Sequence, residues 1–316
     1  MVRIGLLVIL LWHPFSYGYQ QDLIPLGGHW ERGEESYFVH PSYQIGDLWG
    51  KKKVDAKTLE EGTPYHRASF ATARLGGGTS FYLGKFAGKH MMATNHHVCP
   101  RMTSCIGKVV HFTLFGWKFK VVKSLGSWQS VDLSLVAIDV GDEDKELALA
   151  KVGRNFAFSE ALYLGQPLIT VGYGSANNYF RRLVANQDSD CKVFSGTEEF
   201  RFLSDPDRKN PGSYQVWSFA NGCDVSHGDS GSALVDRETG DVVGIIWTGK
   251  IPKDPKIRDR EYVDDIFESG SDEIWTELSY GVPVAKIKER LERTLIGSKL
   301  SEEDRTVLQA ILNGHS

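Results

Sequence analysis

The 316-residue chain is 41% hydrophobic and 24% charged, a globular balance that excludes a disordered polypeptide. Its length suits two compact lobes with extensions, and a net charge of −4 gives no reason to expect nucleic acid as a partner. The 33 glycines are scattered, without repeats or low-complexity tracts, which points to a turn-rich fold.

At the start, Met1-Val2-Arg3 sets a positive charge before an apolar run over residues 4–12. Pro14 then breaks any helix, and Ser16-Tyr17-Gly18 offers small residues where a signal peptidase inspects the chain. The run is too short to span a bilayer, so residues 1–18 read as a removable signal peptide. The mature protein is expected to be secreted or periplasmic, away from the membrane once the leader is cut. Residues 19–63, rich in Tyr, Gly, Lys and Glu, read as an N-terminal extension or pro-segment rather than core.

From there the texture is β. Residues 68–75 read as a strand, Gly76-Gly77-Gly78 as a turn, and 79–83, 90–94, 108–115 and 117–123 as further strands. The second half repeats this character at 167–173, 182–185, 214–219, 232–235 and 242–247. Many short strands with Gly, Asn and Asp between them indicate an all-β sandwich or barrel. Helical spacing is clear only near the end, where Val284, Ile287, Leu291 and Leu295 share a face. Ser301 and Asp304 then cap a final short helix with Val307, Leu308, Ile311 and Leu312 as its apolar side.

Four cysteines, Cys99, Cys105, Cys191 and Cys223, fit an oxidising compartment and allow three connectivities. Nearest-neighbour pairing is the simplest, and a Cys191–Cys223 bridge would stabilise by roughly 3–4 kcal/mol through loop entropy. A metal site of His96, His97, Cys99 and Cys105 is the rival reading, disfavoured by that compartment and the even count. No cofactor is expected.

Three segments carry chemistry: Ala93-Thr94-Asn95-His96-His97-Val98-Cys99, then Val131-Asp132-Leu133-Ser134-Leu135, then His227-Gly228-Asp229-Ser230-Gly231-Ser232. Each alone has a structural explanation; their joint occurrence does not. A serine hydroxyl needs a base to become a nucleophile at neutral pH, an imidazole can be that base, and a buried carboxylate fixes its tautomer. Gly228, lacking a side chain, lets its N–H join that of Ser230 in an oxyanion hole. The order His, Asp, Ser separates this chain from subtilisin-like and α/β-hydrolase arrangements. Ser232 also stands where the α/β-hydrolase elbow needs glycine.

These segments resemble the chymotrypsin (trypsin-like) family over residues 64–290, and Thr94-Asn95-His96-His97-Val98 is close to its bacterial branches. The resemblance implies an all-β fold of two six-stranded antiparallel barrels, at 64–148 and 149–284, with a helical tail at 285–316. It implies a serine endopeptidase acting on peptides or proteins, with His97, Asp132 and Ser230 as triad and His96 in a supporting role. By the same resemblance Asp224 lies at the base of the specificity pocket, so cleavage after Arg or Lys is expected. Ser226 stands where the family has a cysteine, which leaves that loop anchored differently. His227, Trp247 and Gly249 are expected at the substrate. Asp229 is expected to pair with an N-terminal ammonium freed by cleavage before about Ala68, as in a zymogen, or with an internal Arg. The alternative function is an inactive homologue that binds peptides or partners; an esterase with the same triad is a third. The absence of a His-Glu-x-x-His arrangement disfavours a zinc hydrolase. The sequence assigns no oligomeric state.

Overall fold

A computed structural model describes residues 44–47, 50–174, 182–205, 214–249, 252–297 and 299–314. The expected leader at 1–18 and the extension up to residue 43 lie outside the described residues. The rest of the extension is part of the fold. Ile45 and Val54 are buried in the main apolar cluster, and β1 (Lys51–Lys53) joins a sheet. For its described residues, 44–47 and 50–63, this corrects the expectation that the extension at 19–63 stands apart from the core. A Lys-Lys-Lys run reads as solvated surface, and nothing local marks one of the three as an interior residue.

The next segment also differs from the expected strand. Thr63 accepts from the N–H of His66 at 3.2 Å, and Pro64 follows it, so α1 (Pro64–Ala71) forms before the chain extends into β2 (Thr72–Leu75). A threonine cap followed by proline at the first helical position is a helix start, which outweighs the imperfect alternation over 68–75.

Six strands then close a barrel. With β3 (Gly78–Phe86), β4 (Lys89–Thr94), β5 (Val109–Phe112), β6 (Trp117–Trp128) and β7 (Leu133–Asp139), the ring order is β2-β3-β4-β7-β6-β5. Closure comes from the pairs Arg74↔His111 and Leu75↔Val110. Register shifts at Tyr82/Gly84, Val121/Lys123 and Ser124/Gly126 are bulges, which bend long strands around a small barrel. Leu75, Tyr82, Met92, Val110, Phe112, Val136 and Ile138 fill its interior.

The helix α2 (Glu143–Ala150), capped by Asp142, leads to the second sheet. Its strands are β8 (Leu168–Gly172), β9 (Val184–Asn186), β10 (Arg201–Ser204), β11 (Gln215–Asn221), β12 (Ala233–Asp236), β13 (Val242–Thr248) and β14 (Ser279–Pro283). Together with β1 they form an open eight-stranded sheet in the order β1-β9-β8-β12-β13-β14-β11-β10. The expected second six-stranded barrel is therefore not a closed ring of strands. The outer edge of β9 takes β1 from the extension, with Lys51 opposite Asn186, and the sheet ends there. Between its two limbs runs an irregular segment: Leu168 N–H donates to Cys191 O at 2.8 Å, and Phe194 N–H to Ala220 O at 2.9 Å. Cysteines pair as Cys99–Cys105 and Cys191–Cys223, the second joining this segment to the chain just past β11.

Before β14, α3 (Arg260–Ser269) and α4 (Ile274–Glu277) add helices that the sequence reading missed; Asp259 caps α3 by accepting from Glu261 N–H. The C-terminal helices α5 (Val284–Gly297) and α6 (Glu302–Leu312) form as expected, with Val284, Ile287 and Leu291 buried and Leu295 partly so. Ser301 accepts from Asp304 N–H at 3.1 Å. The helix α5 packs on β13, β14 and the 3-10 turn Gln129–Val131, while α6 packs on β3. The tail thus touches both sheets. No described helix is long and apolar enough to cross a membrane.

Candidate active site

The strand β4 ends at Thr94, and the chain turns so that Asn95, His96 and His97 leave the barrel rim. Across from it the 3-10 turn Gln129–Val131 ends at Asp132, whose φ of 36° is left-handed, a conformation aspartate tolerates better than most residues. That backbone lays a fully buried carboxylate beneath the histidine. Asp132 Oδ2 lies 2.7 Å from His97 Nδ1, and Oδ1 accepts from the His97 backbone N–H at 2.9 Å. Asn95 fixes the same turn by donating Nδ2–H to Asp132 O at 2.9 Å. A ring that donates Nδ1–H to a carboxylate presents Nε2 as a lone pair, the state a general base requires.

One partner of this carboxylate was not legible beforehand. Tyr214, just before β11 on the other sheet, donates its hydroxyl to Asp132 Oδ1 at 2.6 Å. Its ring also lies 6.1 Å from that of His96, whose Nδ1 is 2.8 Å from Ser127 Oγ. Burial pushes the His96 ring pKa down, which favours its neutral form.

Ser230 lies in the turn before β12, half-buried, and the turn is docked on the barrel by its backbone. Thr79 N–H donates to Ser230 O at 2.9 Å, and Thr79 Oγ1–H to Gly228 O at 2.8 Å. Thr94, three residues before His97, donates its hydroxyl to Thr79 O at 2.7 Å. One threonine therefore links the serine turn to the strand end that carries the histidine. Among the described residues no hydrogen bond joins Ser230 Oγ to the His97 ring. Glycine is required on both sides of the serine: Gly228 has φ +101° and Gly231 φ +89°. A Cβ on them would lie 2.5 Å from Tyr173 O and 2.1 Å from Thr79 O, respectively. The N–H groups of Asp229, Gly231 and Ser232 all have backbone acceptors, at Ser226, Ile246 and Asp229. Those of Gly228 and Ser230 have none among the described residues, which leaves the two expected oxyanion donors available.

The expected specificity residues fare differently. Asp224 is buried, and its two oxygens accept from backbone N–H groups of the N-terminal segment, Ile45 at 2.8 Å and Gly50 at 2.9 Å. Burial pushes its carboxyl well above the usual carboxylate range, the charge of Asp188 adding to this and the two N–H groups opposing it. This corrects the expectation that Asp224 faces a substrate cation. Trp247 is likewise a core residue, donating its indole N–H to Ser218 Oγ at 3.0 Å. A large aromatic on an all-buried β13 packs inward. His227 is exposed beside Gly228. At half-buried Gly249 a Cβ would lie 2.8 Å from Val225 O.

Asp229 turns away from the serine into the protein. Its Oδ1 accepts from Gly174 N–H at 2.9 Å, and its Oδ2 accepts from Ser226 N–H at 2.9 Å and from the ammonium of Lys51. The expected partners were a freed N-terminus or an arginine; the partner is a lysine of β1.

The family model of the trypsin-like peptidase domain matches residues 78–245, more than half of the chain. No curated protein matches the sequence. Among solved structures, the inactive form of the Rv3671c protease is 18% identical, covering 78% of this chain and 98% of that chain with a TM-score of 0.48. The active form of the same protease from M. tuberculosis is 17% identical, covering 89% and 100% with a TM-score of 0.49. The HtrA-type protease AlgW with a decapeptide is 13% identical, covering 76% and 68% with a TM-score of 0.45.

Proposed function

The chain belongs to the trypsin-like peptidase family of serine endopeptidases, and on that premise we propose that it is a secreted enzyme using His97, Asp132 and Ser230 as its triad. The observation that carries this reading is the buried Asp132 carboxylate at 2.7 Å from His97 Nδ1, with the serine turn docked on Thr79 at the same rim. Two disulfides among the described residues fit an oxidising compartment.

In the proposed mechanism Ser230 Oγ attacks the scissile carbonyl carbon while His97 Nε2 takes its proton. The carbonyl π pair moves onto oxygen, where the N–H groups of Gly228 and Ser230 receive it. As the C–N bond breaks, His97 returns the proton to the departing amine and an acyl-enzyme remains. Water then repeats the sequence with His97 again as base, releasing the carboxylic acid and restoring the serine. Asp132 keeps the ring oriented and stabilises the imidazolium without taking the proton itself. The Arg/Lys preference has no place in this reading, because both oxygens of Asp224 are already engaged.

The test is labelling by a serine-directed phosphonate together with hydrolysis of a mixed peptide library. Labelling and cleavage that both vanish in Ser230→Ala are expected. A wild-type protein that is folded yet unlabelled would replace this reading with that of a peptide-binding homologue.

A further inference from the structure

The two oxyanion donors flank Asp229, so whatever holds that side chain also sets the direction of their N–H groups. Asp229 is 2% exposed, and its one cationic partner among the described contacts is Lys51, itself 3% exposed. Both charges are out of water. A buried ammonium or carboxylate is costly to leave unpaired, so each confines the other to this position. Lys51 also stands 3.4 Å from Ser226 Oγ, which donates in turn to Asp229 Oδ2 at 3.2 Å.

The segment that delivers Lys51 is held independently at several points. Its residues Ile45 and Gly50 bind both oxygens of Asp224, five residues before Asp229. Gly46 N–H donates to Ile257 O at 2.8 Å, and Arg260 bridges Asp47 and Asp190. Beyond Lys51, the strand β1 pairs with β9, and Val54 N–H donates to Leu183 O at 3.0 Å. A Cβ at Gly50 would lie 1.4 Å from the Asp188 carboxylate, so the segment passes close against that side chain. Lys52 and Lys53 face solvent, whereas Lys51 alone of the three is turned inward.

We propose that Lys51 is a built-in activating cation. By pairing with Asp229 it holds the turn 228–231 in its oxyanion-binding form, so the enzyme is competent as folded and needs no new N-terminus. Lys51 is a positioning residue in this role, since it touches neither substrate nor the reacting atoms. The turn needs such an anchor because Gly228 and Gly231 both lie at positive φ, a region glycine leaves readily. Without the cation, the Asp229 carboxylate would be left buried and uncompensated and would swing toward water, and the turn would rotate the N–H of Gly228 or Ser230 off the substrate oxygen. Cleavage between residue 51 and Ala68 would then weaken the enzyme rather than switch it on.

This proposal rests on the triad reading, and the experiment separates the two. Full-length enzyme and the variants Lys51→Met, Lys51→Arg and Lys52→Met are compared for kcat, KM and phosphonate labelling rate, with folding followed by circular dichroism. Lys51→Met is expected to lose about 10²–10³-fold in kcat, the cost of an impaired oxyanion donor, with KM within threefold of wild type. Lys51→Arg is expected to recover at least tenfold of that loss, and Lys52→Met to match wild type. A folded Lys51→Met enzyme with kcat within threefold of wild type overturns the proposal while leaving the triad intact. Should Lys51→Met not fold, N-terminal sequencing of the phosphonate-labelled wild-type protein decides. Labelled chains that begin before Lys51 are expected; labelled chains that all begin after it overturn the proposal. Wild-type protein with no Ser230-dependent labelling removes the triad reading instead, and this proposal with it.

Discussion

Tyr214 and Asp132 meet across the two sheets, the phenol of one donating to the buried carboxylate of the other at 2.6 Å. The contact gives Asp132 a donor from the second sheet in addition to the two it receives from His97. It therefore couples the orientation of the His97 ring to the way the sheets sit at the site.

Replacing Tyr214 by Phe removes that donor and keeps the ring. A hydrogen bond to a charged group contributes about 1.5–3 kcal/mol, so kcat/KM is expected to fall by at least ~10-fold, mainly in kcat. Steady-state kinetics on a single peptide checks this. An unchanged kcat would show that the two donors from His97 hold the carboxylate unaided.

Asp224→Asn tests the correction to the specificity pocket. One oxygen acceptor is kept and one is replaced by an amide that faces a backbone N–H, either of Ile45 or of Gly50. Leaving a buried donor unsatisfied costs about 1–3 kcal/mol. The expected result is a lower Tm with the peptide-library preference unaltered. A shift in cleavage away from basic residues would instead return Asp224 to the substrate.

Gly228→Ala brings a methyl group to 2.5 Å from Tyr173 O at a φ of +101°. The turn must move to accept it, and the Gly228 N–H moves too. Loss of one oxyanion donor lowers turnover about 10²–10³-fold, and a matching fall in phosphonate labelling rate is expected. Retention of full activity would take the Gly228 N–H out of the oxyanion hole.

The tail gives a pH prediction. Lys123 and Lys89 hold the Glu303 carboxyl down to about 2, from an ordinary value of 4.5. A depressed folded-state pKa contributes stability that is present above the unfolded value and is lost as pH falls toward the folded one. Docking of α6 should therefore weaken between about pH 4.5 and pH 2. Because Glu303 is exposed, the contribution is also screened by salt. Thermal unfolding of Glu303→Gln beside wild type is expected to show a small Tm deficit at pH 6 that closes by pH 2. A deficit independent of pH would assign it to packing.

The sequence by itself determined the parts in which chemistry demands residue types in fixed local patterns. Small residues around Ser230, an aspartate just before β7 and a histidine just past β4 are local requirements, so they stand out before any fold is known. The apolar face of α5 and the Ser301 cap are legible for the same reason, since periodicity and capping act over a few residues. What only the tertiary structure decided depends on partners far apart in the chain. Lys51 lies 178 residues from Asp229, Ile45 179 from Asp224 and Tyr214 82 from Asp132. A lysine in a basic run, a tyrosine before a strand and an aspartate near a nucleophile carry no local mark of the role each takes. Burial of a charge is stable only where its counter-charge arrives, and that meeting is made by the packing of β1 on the second sheet. The same packing gives β9 its outer neighbour, and the second sheet ends at β1.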